Sequence, residues 1–324
     1  MRALVCKEYG PVDLLELTDL PDPIPGPGEV VIDVSVAAMN FPDILIIEGK
    51  YQIRPEPPFS PGFEGTGMIS AVGEGVTLEV GSPVVAAVTH GSFAEKWVVP
   101  ATNVLPFPNG LTVEQAAGFT IAYGTAAYAL RWRARLSKSE TLLVLGAAGG
   151  VGSAAVELGS RMGATVIAAA STDEKLAFAT SIGADHTINY SEQDLKGALR
   201  ELTEGRGVDV VYDPVGGELS EAAFRAIAWK GRYLVIGFAT GDIPAIPLNL
   251  PLLKGASIVG VYWGDWLAKE PHQAAEMVAD LYQLAASGEV DPRISAVFPF
   301  EDFADGFAAL ADRTARGKVL LRVS

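Results

Sequence analysis

The sequence predicts an α/β protein made of a β-rich first part and a doubly wound sheet of six parallel strands. Two observations support this fold class. Short strands and turns dominate the chain before about residue 110, and beyond about residue 140 apolar segments of strand length alternate with helical segments. Strands that are apolar on both faces are typical of a parallel sheet covered by helices on each side.

The first of these apolar strands runs directly into a glycine-rich turn. Thr141 to Gly152 read TLLVLGAAGGVG, and a helical segment follows from Ser153. Such a turn brings backbone N–H groups close to an anion, and a side chain at Gly149 or Gly150 would hold a pyrophosphate away from them. A plain strand-to-helix turn would match the same short motif. The coincidence of strand, turn and helix favours nucleotide binding.

Composition limits the location and the partners of the protein. The 324 residues are 49% apolar, which is enough for two domains with full cores. A single cysteine, Cys6, excludes an intrachain disulfide and a cysteine-rich metal site. The N-terminal segment MRALVCKEYG lacks the apolar region of an export signal, and no segment reaches membrane length, so we expect a cytoplasmic protein. The net charge of −15 disfavours nucleic acid as a partner.

Proline and glycine divide the β-rich part into short elements. PDPIPGPG, at Pro21 to Gly28, excludes helix and central strand, and apolar residues then alternate with polar or small ones from Val30 to Val36, which predicts a half-buried strand. A short helix is expected from Pro42 to Glu48, followed by a proline-rich loop from Gly49 to Gly62 that contains Tyr51 and Arg54. Further strands are expected at Gly65 to Val72, Pro83 to Val88 and His90 to Pro100.

The chain changes to helical spacing from Thr112, which places a domain boundary nearby. Two late strands leave no room for a crossover, so we expect them to return to the β-rich domain. Helices are expected at about 271 to 287 and 302 to 312. Besides the strand at Thr141, the predicted strands are Thr165 to Ser171, His186 to Asn189, Val208 to Asp213, Arg232 to Phe238 and Ser257 to Tyr262, with the two late ones at Ile294 to Phe300 and Val319 to Val323.

Four segments together resemble the medium-chain dehydrogenase/reductase superfamily, in its zinc-free, zeta-crystallin-like NADPH:quinone oxidoreductase branch. They are AAGGVG at Ala147 to Gly152, AAMNFPDILIIEGKY at Ala37 to Tyr51, PGFEGTGMISAVGEGV at Pro61 to Val76 and the closing GKVLLRV. The resemblance implies a discontinuous GroES-like catalytic domain, residues 1–118 with 264–324, and a Rossmann NADPH-binding domain, residues 119–263. It also implies a homodimer that pairs through the edge strand of the Rossmann sheet.

Departures from the zinc-dependent alcohol dehydrogenases indicate the chemistry. Those enzymes carry a ligand cysteine where Met39 and Asn40 stand, and a ligand histidine where Phe63 precedes Glu64. The three histidines, at positions 90, 186 and 272, have no ligand spacing, so no metal is expected. Without a Lewis acid, simple alcohols become poor substrates. Quinones and α,β-unsaturated carbonyls spread the incoming negative charge, so neutral hydrogen-bond donors suffice.

Two residues are candidates for the catalytic donors. The resemblance implies that Asn40 and Tyr51 line the pocket beside the nicotinamide. From the residues alone, two structural interpretations stay open: Asn40 as a turn residue at a strand end, and Tyr51 as packing of a loop.

The end of the second Rossmann strand indicates the cofactor. That strand ends in Ser171, and a hydroxyl followed by Lys175 suits the 2′-phosphate of NADPH. Asp173 and Glu174 favour the alternative, since either carboxylate is able to accept from a free ribose hydroxyl. Together with the resemblance, this gives a cofactor-binding set of Asn40, Thr125, Gly149, Gly150, Val151, Ser171, Lys175, Tyr190, Gly237, Phe238 and Arg313.

The predicted function is hydride transfer from NADPH to a quinone or another conjugated carbonyl. Two alternatives stay open: a 2-enoyl thioester reductase acting on CoA or acyl-carrier-protein esters, and a crystallin-like protein that binds nucleotide without catalysis. A basic cluster would suit a CoA phosphate, although an exposed helix end explains it equally well. The cluster comprises Arg131, Arg133, Arg135 and Lys138.

Overall fold

A computed structural model describes all 324 residues, and the chain divides into two units. Unit 1 comprises residues 1–121 and 282–324, and unit 2 comprises residues 122–281. In chain order the elements are β1 (Arg2–Val5), β2 (Glu16–Asp19), β3 (Glu29–Met39), α1 (Phe41–Ile47), β4 (Glu64–Val72), β5 (Pro83–Ala87), β6 (Lys96–Pro100), β7 (Val104–Pro106), α2 (Val113–Ala117), α3 (Phe119–Ala127), β8 (Thr141–Leu145), α4 (Gly150–Arg161), β9 (Thr165–Ala170), α5 (Asp173–Ser181), β10 (His186–Asn189), α6 (Leu195–Leu202), β11 (Val208–Asp213), α7 (Glu218–Arg225), β12 (Ile227–Val235), α8 (Asn249–Lys254), β13 (Ser257–Gly260), α9 (Trp263–Lys269), α10 (Pro271–Ala286), β14 (Ile294–Pro299), α11 (Phe303–Ala311) and β15 (Lys318–Arg322).

Unit 1 is built on a seven-stranded sheet with β3 at its centre. The strand order is β14-β15-β3-β4-β5-β7, and β6 also pairs with β3. β3 runs antiparallel to β4, β6 and β15. The two late strands therefore return to the β-rich unit as the sequence predicts, because β15 completes the sheet beside β3. One apolar core lies against this sheet, with Leu4, Ile32, Met39, Ile46, Phe93 and Phe307 among its fully buried side chains.

Unit 2 is built on a six-stranded sheet in which all strands run parallel. The order β10-β9-β8-β11-β12-β13 starts in the middle with β8 and extends outward in both directions, as in a doubly wound fold. Every residue of β8 is buried, in agreement with its uniformly apolar sequence. The predicted α/β fold class is confirmed.

Strand β12 occupies a different range from the predicted one, Arg232 to Phe238. It begins at Ile227, passes through an irregular register with Lys230 at a φ of 62°, and ends at Val235. The N–H groups of Ile236 and Gly237 both turn to the carbonyl of Asp213. This turn leaves Gly237 in the loop after the strand, a position that strand propensity alone does not indicate.

The helices directly after residue 263 belong with the parallel sheet, whereas the sequence analysis assigned them to the β-rich domain. The ring of Trp266 stacks on Tyr128, with ring centroids 4.3 Å apart and an interplanar angle of 18°. Arg131 Nη1 forms an ion pair with Asp280 Oδ2 at 3.2 Å. These contacts tie α9 and the first part of α10 to unit 2. The pattern of residues along the chain does not reveal such tertiary contacts. No helix of the protein is both long enough and apolar enough to cross a membrane.

Candidate active site

The glycine turn after β8 has the close packing that an anion site needs. Gly146 has a φ of +58°, and Gly149 is the N-cap of α4, so Gly150 and Val151 open the helix. A Cβ added to Gly152 would lie 2.2 Å from the carbonyl oxygen of Gly146, so only glycine lets the helix start this close to the turn. The helix therefore presents its N-terminal N–H groups and its positive dipole end at the carboxyl end of β8.

Ser171 and Lys175 lie together at the end of β9. Lys175 Nζ donates to Ser171 Oγ at 3.1 Å, and Thr172 caps α5 by accepting from the Lys175 N–H. The Asp173 carboxylate is bonded to the last residue of β10, because its Oδ1 accepts from Asn189 Nδ2 at 3.0 Å. The hydroxyl and the ammonium thus lie together beside the strand end, while the Asp173 carboxylate is engaged by an amide.

Tyr190 lies beside this group. It follows β10, and its N–H donates to the carbonyl of Ala170 at 3.1 Å, at the last residue of β9. Ser191 Oγ donates to the carbonyl of Ser171 at 3.0 Å and closes the same corner. The ends of β9 and β10 therefore bring three of the predicted cofactor residues together.

Gly237 and Phe238 lie at a second strand end of unit 2. They line a small cavity together with Tyr233, Ile258 and Asp213. The buried Asp213 carboxylate accepts from two backbone N–H groups and from the hydroxyls of Tyr233 and Ser220, so it holds the turn after β11 in place. Burial raises the pKa of Tyr233 far above its ordinary value, so this phenol stays protonated.

Two further cofactor candidates lie apart from these strand ends in sequence. Thr125 lies within α3, in unit 2. Arg313 follows α11 in unit 1 and has a φ of 54°, which is strained for a residue other than glycine. The proposed contacts of both residues with cofactor stay predictions.

Residues of the basic cluster contact separate partners. Arg131 pairs with Asp280, while Arg133 Nε donates to the carbonyl of Gly260 at 2.9 Å. These two guanidinium groups therefore help to hold α10 and the end of β13 within unit 2.

Asn40 lies at the end of β3 and its side chain is held by charged groups. Lys318 Nζ donates to Asn40 Oδ1 at 2.6 Å and to Glu64 Oε1 at 2.8 Å. Asn40 Nδ2 donates to the same Glu64 oxygen at 3.2 Å and to the carbonyl of Ala38 at 3.3 Å. The second Glu64 oxygen accepts from the Ile121 N–H at 2.9 Å. The amide of Asn40 is therefore bonded on both sides within unit 1.

Asp43 holds the backbone of the same segment. Its carboxyl accepts from the N–H groups of Asn40 and Gly62, at 2.7 and 3.1 Å. The side chain is fully buried, and this burial raises the pKa of Asp43 to about 8 against the opposing effects of those donors and of Lys318.

Sequence reasoning missed Asp43 and Lys318, and it noted Glu64 only as the neighbour of an absent ligand. A signal existed in the pattern: a lysine at the start of an apolar closing strand, GKVLLRV, and a glutamate at the start of another, EGTGM. Charged residues at these strand starts need partners when buried.

The side chain of Tyr51 has a packed aromatic ring as well as a polar hydroxyl. Its ring meets Phe63 edge to face with centroids 5.7 Å apart, and its N–H donates to the carbonyl of Leu45 at 3.1 Å. The ring belongs to the partly buried shell around the core of unit 1. The loop after α1 therefore fixes the direction of the side chain, a precondition for either a chemical or a packing role.

Comparison with known proteins gives the family. Residues 150–281 match the family described as zinc-binding dehydrogenase, and residues 26–109 match the alcohol dehydrogenase GroES-like domain. Quinone oxidoreductase-like protein 2 of Rattus norvegicus is 38% identical over 99% of this chain and 91% of its own length. The chain belongs to the medium-chain dehydrogenase/reductase superfamily. It is an oxidoreductase of that superfamily, and the resemblance seen in its sequence is confirmed.

Solved structures agree with this assignment. The quinone oxidoreductase of Pseudomonas syringae pv. Tomato superposes with a TM-score of 0.93 at 30% identity and covers 99% of both chains. The quinone oxidoreductase of Escherichia coli, complexed with NADPH, superposes with a TM-score of 0.92 at 27% identity over 99% of this chain and 100% of its own.

The residues present here do not fit the zinc ion that the family description names. The positions in question hold Met39 and Phe63, both buried in the apolar core of unit 1. Glu64 is already paired with the Lys318 ammonium, and no group of three histidine, cysteine or acidic side chains is arranged for a metal.

Proposed function

We propose that this protein is a zinc-independent oxidoreductase that transfers a hydride from NADPH to a quinone or another conjugated carbonyl compound. The observation that supports this most is the set of side chains around Asn40. A buried ammonium, a carboxylate and an amide bond to one another next to Met39 and Phe63, the positions where a zinc enzyme carries its ligands. A conjugated acceptor needs no Lewis acid, because its oxygen receives charge that the π system already spreads.

In this proposal the cofactor supplies a hydride and the chain supplies position and protons. Tyr51 donates a hydrogen bond to the acceptor oxygen as negative charge develops there, and the proton that completes the reduction comes from water. Asn40 forms the polar wall of the acceptor site. Thr125, Phe238 and Arg313 contribute to the cofactor site together with the glycine turn, as the superfamily resemblance implies.

The nicotinamide cofactor is proposed to be NADPH. The support is the hydrogen bond between Lys175 and Ser171, together with the engagement of Asp173 by Asn189. A cation and a hydroxyl stabilise a 2′-phosphate, whereas an available carboxylate would repel it.

We predict that Lys175→Ala erases most of a preference for NADPH over NADH that is at least about tenfold, or roughly 1.4 kcal/mol. Dissociation constants for both cofactors, measured by fluorescence titration, check this. Lys196→Ala removes a lysine from α6 of the same unit and is the matched control. Equal affinities of the unmodified protein for both cofactors would contradict the NADPH assignment.

The class of acceptor is best identified by comparing reduction rates for different classes of compound. We expect Tyr51→Phe to slow reduction of an enone or an enoyl thioester by more than about tenfold, because an oxyanion donor is typically worth about 2.7 to 4 kcal/mol. Reduction of a reactive quinone should slow only a few-fold, since the negative charge that develops on it is delocalised. NADPH oxidation rates across quinones, enals and enoyl-CoA esters measure the contrast.

A second tyrosine of the same unit offers the control for that comparison. Tyr9 OH donates to the carbonyl of Pro55 at 2.6 Å, so Tyr9→Phe also removes a hydroxyl that holds the proline-rich loop. Equal slowing of all acceptors by both variants would assign Tyr51 to packing. Preference for enoyl thioesters over quinones would select the thioester reductase alternative, and binding without turnover would select the crystallin-like one.

We also propose that the protein acts as a cytoplasmic homodimer paired through the edge of the parallel sheet. The support for the dimer is an apolar surface around that edge. Ile258 on β13 is 44% exposed, and Leu248, the residue before α8, and Leu252, within α8, are about four-fifths exposed. An unpaired strand edge flanked by such side chains favours association with a second copy.

Sedimentation velocity tests the dimer. The unmodified protein should sediment as a dimer, and Ile258→Lys should shift it to the monomer because a charge would be buried in the paired edge. Ile24→Lys changes another exposed isoleucine, 88% exposed in unit 1, and should leave the dimer intact. A monomeric unmodified protein at micromolar concentration would rule out this pairing.

A further inference from the structure

Lys318, Asn40 and Glu64 come from the ends of three neighbouring strands. Val319 of β15 pairs with Met39 of β3, so Lys318 and Asn40 are the adjacent residues at that end of the ladder. Glu64, the first residue of β4, pairs with Ala38 of β3. The register of the sheet therefore brings an ammonium, an amide and a carboxylate to one spot, although the lysine lies far away in the sequence.

The charges fix which way the Asn40 amide points. Its oxygen accepts from the Lys318 ammonium, and its nitrogen donates to the Glu64 carboxylate. The reversed amide would set an NH₂ group against a cation and an oxygen against an anion. Both contacts would become repulsive, so the pair permits a single orientation.

The ion pair is buried and enclosed. Lys318 is 5% exposed and Glu64 is 1% exposed, and the lysine stem packs against Gly118, where an added Cβ would lie 3.0 Å from Lys318 Cε. A buried ion pair contributes little net stability compared with apolar residues of similar size. Its distinct consequence here is geometric, because it holds the Asn40 amide in one orientation together with the weaker hydrogen bond from Asn40 Nδ2 to the carbonyl of Ala38.

We propose that Lys318, paired with Glu64, is a positioning residue for the reaction, acting through Asn40. This inference rests on the proposed function, in which Asn40 forms the wall of the acceptor site. A released amide would be free to turn its oxygen toward the negative charge that develops on the acceptor. Repulsion between the two oxygens would then slow hydride transfer. The held amide keeps its oxygen on the ammonium and away from that charge.

A double-mutant cycle tests whether Lys318 acts through Asn40. The double variant Lys318→Met/Glu64→Gln removes both charges together, so no unpaired buried charge is left to unfold the protein. We expect it to lower kcat for an enone, at saturating NADPH, by more than about tenfold. Asn40→Ala alone should do the same, because it removes the polar wall that a released amide also fails to provide. Adding Asn40→Ala to the double variant should lower kcat by less than about a further threefold, because the two changes remove one function.

Controls separate positioning from stability. Lys96→Met/Asp33→Asn removes another ion pair from the sheet of unit 1, with Lys96 Nζ 2.8 Å from Asp33 Oδ1, and should leave kcat unchanged. Thermal unfolding confirms that each variant is folded at the assay temperature. Independent, multiplying effects of Asn40→Ala and the double variant on kcat would overturn the positioning role, as would an unchanged kcat in the folded double variant. An unmodified protein that binds NADPH but oxidises it with none of the quinones, enals or enoyl-CoA esters contradicts the proposed function itself, and this inference with it.

Discussion

The buried ion pair between Lys318 and Glu64 is the constraint on which the β-rich unit and its candidate site depend. It links the starts of β15 and β4 on either side of β3 and holds the side chain of Asn40 between them. Removing one partner of such a pair typically costs about 3 to 5 kcal/mol, because the other charge stays buried alone. The closing strand of the chain is thus tied to the site as well as to the sheet.

The same charges support the proposal that this fold acts without zinc. Lys318 already neutralises Glu64, and Met39 and Phe63 fill space with apolar atoms. What is left is the Asn40 amide, held by a buried ion pair whose two charges neutralise each other. Such a site suits acceptors that carry their own means of delocalising charge, and it gives little help to an isolated carbonyl.

The fold could be predicted from the sequence because the patterns that indicate it lie within short segments. The uniformly apolar β8 and its glycine turn predict a parallel sheet with an anion site, and the short hydroxyl-to-lysine spacing predicts that Ser171 and Lys175 meet. The network around Asn40 could not be predicted in the same way. Lys318 and Glu64 meet only through strand register across the whole chain, and the stacking of Trp266 on Tyr128 depends on tertiary contacts in the same sense.

Deuterium transfer tests the central claim most directly. Chelator-treated protein, shown free of zinc by metal analysis, is incubated with a conjugated enone and NADPH carrying deuterium at both hydrogen positions of nicotinamide C4. The account predicts one deuterium at the β-carbon of the product, from one face of the nicotinamide, at a rate that added zinc does not raise. A product without deuterium, or transfer that appears only when zinc is restored, would contradict a metal-free site that passes hydride to a conjugated acceptor.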